Sequence, residues 1–192
     1  IGAFPHGIIE NNVVAHNTGP GIWFDYCYGP AKSIIRGNYV HDNTTEGIFH
    51  EYSANAEIYN NVVVDNSLRQ IYLTKSHDVN IYNNTVVTRS RGSMGIAVDR
   101  RNPGEVSYNV EVRNNLFSAS RSWTALYIWG AEGAYNITSD YNHFHSSWGN
   151  AVQRFALHLT GKSYTFDNFS AWQDNGTFVD SSSQQVFGPF DD

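Results

Sequence analysis

The sequence predicts an all-β chain, a right-handed parallel β-helix of about six coils in which each coil is strands and turns. Three observations point there. A column recurs as Ile-x-x-Asn-x-Val, at Ile9/Asn12/Val14, Ile35/Asn38/Val40, Ile58/Asn61/Val63, Ile81/Asn84/Val86 and, with substitutions, Val112/Asn115/Phe117. The apolar residues alternate with period two, which belongs to strands rather than helices. Between the Asn positions a second strand recurs as a Gly-Ile-aromatic segment, and self-similarity at 20–50 residues is the mark of a solenoid.

The Asn column comes first because it sets the repeat, its members separated by 26, 23, 23 and 31 residues. Stacked coils place equivalent residues about 4.8 Å apart, so successive side-chain amides can hydrogen-bond along the stack. Asn also accepts the left-handed backbone of tight corners. Its role is structural. A second Asn follows five residues later at Asn17, Asn43 and Asn66, and Ile137 with Asp140 reads as a degenerate sixth coil.

The second strand runs Gly21-Ile-Trp-Phe-Asp25, Gly47-Ile-Phe-His-Glu51, Gln70-Ile-Tyr-Leu-Thr74, Gly95-Ile-Ala-Val-Asp99 and Ala125-Leu-Tyr-Ile-Trp129. Alternation points Ile22, Phe24, Ile48, Ile71, Leu73, Ile96 and Val98 inward. The outward rows are then Trp23, Phe49, Tyr72, Ala97 and Tyr127, with Asp25, Glu51, Thr74, Asp99 and Trp129 beside them. His50 falls on the inward parity, as a local irregularity or a buried, hydrogen-bonded ring. Arg100-Arg101-Asn102-Pro103-Gly104 is turn chemistry and reads as a loop projecting beside Asp99. The coils are expected over 1–144. Residues 145–192 are expected to cap them, with a short helix within Phe166–Gln173 that takes Asp167 or Asn168 as its N-cap. The opposite end looks uncovered, so preceding coils or end-to-end self-association are expected to complete it.

Composition narrows the function. A net charge of −6, with Lys plus Arg at 12 against 18 Asp plus Glu, argues against a nucleic-acid partner. Apolar stretches of only a few residues give no membrane span. The single cysteine, Cys27, excludes an internal disulfide and any Cys-based zinc site. The eight histidines show no metal-ligand spacing beyond the weak His143-x-His145 pair, so no metal site is expected.

The chemistry-bearing feature is Asp25 beside Glu51, at the same position of adjacent coils. Retaining glycosidases hold two carboxyl groups about 5–5.5 Å apart, close to the spacing the stack supplies. Two such carboxylates cannot both ionise easily, which suits a general acid beside a nucleophile. Trp23, Phe49 and Tyr72 are expected to form an exposed aromatic ladder suited to the C–H faces of sugars. Tyr26, Tyr28 and Tyr52 follow in the turns, and His16, His41, His50, Lys75, Asp99 and Arg100 are expected to add polar groups to the same face.

At Gly21-Ile-Trp-Phe-Asp25 and Gly47-Ile-Phe-His-Glu51-Tyr-Ser the sequence resembles secreted right-handed β-helix proteins of the pectate-lyase-like superfamily, over roughly residues 7 to 144. Among those with known chemistry it looks most like β-helical glycoside hydrolases of the β-xylosidase type. That resemblance implies Asp25 as nucleophile and Glu51 as acid/base, an extracellular setting, a polysaccharide or oligosaccharide substrate and no cofactor. Two alternatives stay open. A polysaccharide lyase would need Ca²⁺, with Asp25, Glu51 and Asp99 as its ligands and Lys75 or Arg100 as base. A non-catalytic sugar-binding β-helix would keep the ladder without turnover, and a fibre-forming one would stack end to end through the uncovered first coil.

Overall fold

A computed structural model describes residues 7–89, 93–119, 123–129, 135–146, 153–159, 162–166, 169–174 and 182–187. The chain winds through three strands per turn, and among the described residues the strands stack into three sheets of six, seven and seven, parallel throughout except for Lys162–Phe166 in the third. The first sheet starts at Ile8–Glu10 and ends at Ile137–Asp140, the second starts at Val13–Ala15 and the third at Ile22–Asp25. This is a parallel β-solenoid. The Ile-x-x-Asn-x-Val column spans the corner between the first and second sheets.

Inward positions form continuous apolar rows, such as Ile35, Ile58 and Ile81, each fully buried. Each contributes about 1.5–3 kcal/mol of transfer free energy. The corners are equally regular. Non-glycine residues with φ near +55° stand in columns, among them Asn11, Asn60, Asn83 and Asn114 at the first corner, and His16, Asp42 and Asp65 at the second. The third corner repeats Tyr26, Tyr52 and Lys75 in the same conformation.

The Asn ladder is continuous. Asn61 Oδ1 accepts from Asn38 N and Nδ2, both at 3.0 Å, while Asn61 Nδ2 donates to Asn84 Oδ1 and to the Ile35 and Tyr59 carbonyls. The second column runs Asn17, Asn43, Asn66, where Gln70 Oε1 takes over as acceptor at 2.9 Å. That column also explains the glycines that open the third-sheet strands. A Cβ at Gly47 would lie 2.6 Å from Asn66 Nδ2 and 2.6 Å from the Gln70 carbonyl.

Two expectations change. The sixth coil does not use Ile137 with Asp140 as its Ile/Asn pair: Ile137 lies opposite Val110, Ser139 lies opposite Val112, and Asn142 accepts from Asn115. A shift of two residues keeps the inward parity, so Ser139 stands where the repeat carries an aliphatic residue. The stack also continues beyond residue 144, where the sequence repeat fades. Gln153–Leu159 extends the third sheet in parallel, Lys162–Phe166 turns back antiparallel, and Gln184–Phe187 extends the second sheet. The expected helix is Phe169–Gln173, with Trp172 fully buried; Asp167 and Asn168 lie outside the described residues.

Candidate active site on the third sheet

Ile22–Asp25 and Ile48–Glu51 pair in parallel with Trp23 opposite Phe49 and Asp25 opposite Glu51. The two acids therefore end adjacent strands one rung apart, about 4.8 Å between backbones. Ile22, Phe24, Ile48 and His50 take the inward parity, which leaves both acids on the outer face. The corner beneath them is pinned: Ser53 Oγ donates to the Glu51 carbonyl at 2.6 Å and accepts from Cys27 N at 2.9 Å.

The outer face is less open than the sequence suggests. Phe49 and Tyr72 are each 7% exposed and Thr74 is fully buried, whereas Trp23 is 45% exposed. Stacking is the cause. Trp23 lies on Phe49 with centroids 5.8 Å apart, Phe49 lies on Tyr72 at 4.9 Å, and the Arg69 guanidinium covers Tyr72 at 4.1 Å. Phe49 and Tyr72 therefore cannot present their faces to a ligand, and support Trp23 instead. The open rings are Trp23 with Tyr26 and Tyr28, which flank Asp25 in sequence. Tyr26 stacks on Tyr52 at 4.9 Å, and Tyr52 Oη donates to Glu105 at 2.8 Å.

Glu51 is itself only 5% exposed although it faces outward. The loop after Asp99 folds back rather than projecting away, held by Arg101 N on the Glu105 carbonyl at 3.0 Å, and its Arg101 Nε lies 3.3 Å from Glu51 Oε1. Burial pushes the Glu51 carboxyl above its ordinary value; Arg101 opposes this, the Asp25 charge adds to it, and a hydrogen bond with Trp23 favours the ionised form. Asp25 Oδ1 is buried and accepts no hydrogen bond from the described residues. An unsatisfied buried oxygen beside a carboxyl whose pKa is raised is the kind of exception that marks a functional site.

The other expected contacts divide. His50 is fully buried, with Nδ1 3.0 Å from Ser76 Oγ, and burial lowers its pKa to about 3. It is a core ring and cannot touch a substrate. His16 and His41 belong to the corner after the second sheet and do not join the acid pair. Lys75 continues the Tyr26/Tyr52 corner column, one rung beyond Tyr52. Arg100 lies over the Trp129 ring at 4.1 Å, and its backbone N donates to Asp99 Oδ1 at 2.7 Å. Thr74 stands between Glu51 and Asp99 in the column. The three carboxylates expected to hold Ca²⁺ for a lyase therefore do not converge. A polar groove of about 520 Å³ lies on the first sheet, lined by Lys32, Asp78, Asn80, Glu111 and Thr138 among others and without an aromatic ring.

Residues 3–148 match the family described as a right handed beta helix region. The chain belongs to this family. Among solved structures, this β-helix protein is similar to the A-module of mannuronan C-5 epimerase AlgE6 from Azotobacter vinelandii, with a TM-score of 0.54 and 14% identity. The similarity covers 97% of this chain and 49% of that one, so the chain spans about half its length. At this identity the likeness establishes the fold. No curated protein matches the chain in sequence. Among the described residues, no helix is long and apolar enough to cross a membrane.

Proposed function

We propose that this β-helix protein cleaves a glycosidic bond in a polysaccharide or oligosaccharide outside the cell, with retention at the anomeric carbon. The observation that carries this reading is the Asp25/Glu51 register: two outward acids one rung apart, the one with the raised pKa enclosed, beside the exposed rings of Trp23, Tyr26 and Tyr28. Protonated Glu51 gives its proton to the leaving oxygen while Asp25 attacks the anomeric carbon and the glycosidic bond breaks. Ionised Glu51 then takes a proton from water, whose oxygen displaces Asp25. Arg101, its side chain half exposed, borders the Glu51 carboxyl. The three rings supply the apolar platform for sugar faces.

The test is turnover on a polysaccharide panel with Asp25→Asn and Glu51→Gln, and NMR of the first anomer released. Glu51→Gln should lower the rate about 10²–10⁴-fold, with the product keeping the substrate's configuration. Undiminished turnover in either variant, or inverted product, refutes the assignment. Saturable sugar binding without turnover in the wild type would instead identify a binding module.

A second reading is favoured by the likeness to an epimerase acting on mannuronan, together with Arg101 beside the acids. A cation there would pair with a uronate carboxylate and favour removal of the neighbouring C5 proton. Ultraviolet-absorbing unsaturated product, or exchange of the C5 hydrogen with solvent deuterium, distinguishes it from hydrolysis.

A further inference from the structure

We propose that His16, His41 and Asp42 form a binding site for a transition-metal dication of the zinc type, bridging the first two rungs where the second sheet turns toward the third. The site is independent of the acid pair. Val13–Ala15 and Tyr39–His41 pair with Ala15 opposite His41, so His16 stands one rung from Asp42. Both take the left-handed conformation, φ 59° and 52°, and so repeat one corner geometry. His41, the last strand residue before Asp42, completes the group.

One ligand atom from each residue lies within 4.8 Å of those of the other two. The His16 and His41 rings are 5.7 Å apart between centroids and 84° from coplanar. Two imidazoles bound to one tetrahedral ion through nitrogens at ~2.0–2.1 Å have centroids about 5 Å apart, so small side-chain movements close the site. Asp42 Oδ2 lies 2.7 Å from His41 Nδ1. That contact sets His41 Nδ1 and Asp42 Oδ2 side by side, as two ligands of one ion must stand. Tyr39 stacks on His41 at 4.3 Å and restricts it further.

The surrounding charges fit. Asp65, next in the corner column, is paired with Arg89 and so does not compete as a ligand. Arg89 also interacts with Asp42, a positive charge that counts modestly against a cation there. Two imidazoles and one carboxylate favour Zn²⁺, Ni²⁺ or Cu²⁺ over Ca²⁺ or Mg²⁺, which seek all-oxygen sites. Three protein ligands leave a position for water. Since the ligands come from two rungs, the ion would clamp the first coil to the second.

His77 supplies the control. Its Nδ1 lies 2.7 Å from Asp78 Oδ2, the same local pair; yet among the described residues only the His16 group brings three such ligands together. Calorimetric titration with zinc chloride in chelator-free buffer should show saturable binding of one ion per chain, undisturbed by excess calcium. His16→Ala and His41→Ala should each weaken it at least about tenfold, and His77→Ala should leave it unchanged. Imidazole ¹⁵N resonances of the wild type, which need no variant to fold, should move at His16 and His41 and stay fixed at His77. Absence of saturable zinc binding, undiminished binding in both His16→Ala and His41→Ala, or unmoved His16 and His41 resonances would overturn the site.

Discussion

Replacing Asn61 by alanine tests whether the amide ladder holds the stack together. Asn61 Oδ1 is the acceptor for the buried Asn38 N–H at 3.0 Å, and alanine would leave that donor without its partner. An orphaned buried donor costs about 1–3 kcal/mol. The side chain also loses its link to Asn38 Nδ2 and its donations to Ile35, Tyr59 and Asn84. Asn61 N still reaches Asn84 Oδ1, so Asn84 keeps one donor. With a further two or three net bonds lost at about 1 kcal/mol each, the total is about 3–6 kcal/mol. Asn12 provides the comparison. It is exposed at the start of the same column, donates to the Glu10 carbonyl and Asn38 Oδ1, and its loss should cost about 1 kcal/mol or less because water substitutes. Urea unfolding of both variants would read the difference as a shift in midpoint at constant slope. A midpoint for Asn61→Ala no lower than that of Asn12→Ala would refute the ladder as a source of stability.

The remaining predictions concern the site and pH. Trp23→Ala should weaken oligosaccharide binding about 2–10-fold, from the ~0.5–1.5 kcal/mol of ring contact, with little change in the unfolding midpoint; affinity electrophoresis would show it. His50 is held neutral in the core with a pKa near 3, against 6.5 for an ordinary ring, so the unfolded chain binds the proton first. Stability should therefore fall as pH drops from about 6.5 toward 3, by roughly 4–5 kcal/mol in all, and the His50→Leu midpoint should be flatter over that range. Glu51 has the opposite sign: its raised folded value means that ionisation is harder in the native state, so its contribution is lost as pH rises above the ordinary 4.5. Glu51→Gln should gain stability relative to wild type between pH 4 and pH 7, measured by the same unfolding curves.

Most of the fold was legible because stacking writes itself into sequence as a column of Asn and a period-two strand. The register of Asp25 with Glu51 followed from the same repeat. Where a column changes chemistry, legibility ended: Ser139 replaces an aliphatic residue, and the eye moves to Ile137, two positions early. Exposure of the outer face was not readable either. It depends on how closely Phe49 and Tyr72 stack, on where Arg69 lies, and on the path that carries Arg101 back to Glu51. Parity did identify His50 as inward. The His16, His41 and Asp42 cluster is not legible as a metal motif because its members do not fall at the short spacings such motifs have. In a solenoid the relevant spacing is one coil, and the signal was that His16 and Asp42 each precede a second-column Asn, Asn17 and Asn43.

The serine column at the third corner has a consequence for how such a molecule can be altered. Ser53 and Ser107 tie the corner back to the Glu51 and Asp99 carbonyls, and Ser107 Oγ also accepts from Ser76 N across the rung. Ser53 follows Glu51 by two residues whereas Ser107 follows Asp99 by eight, yet the next strand enters in register both times. The hydroxyl clasp, and not the length of chain it closes, fixes where the following turn begins. Foreign segments of varied length could be grafted between Asp99 and Ser107, giving the face that carries the acid pair a replaceable rim on an unaltered spool.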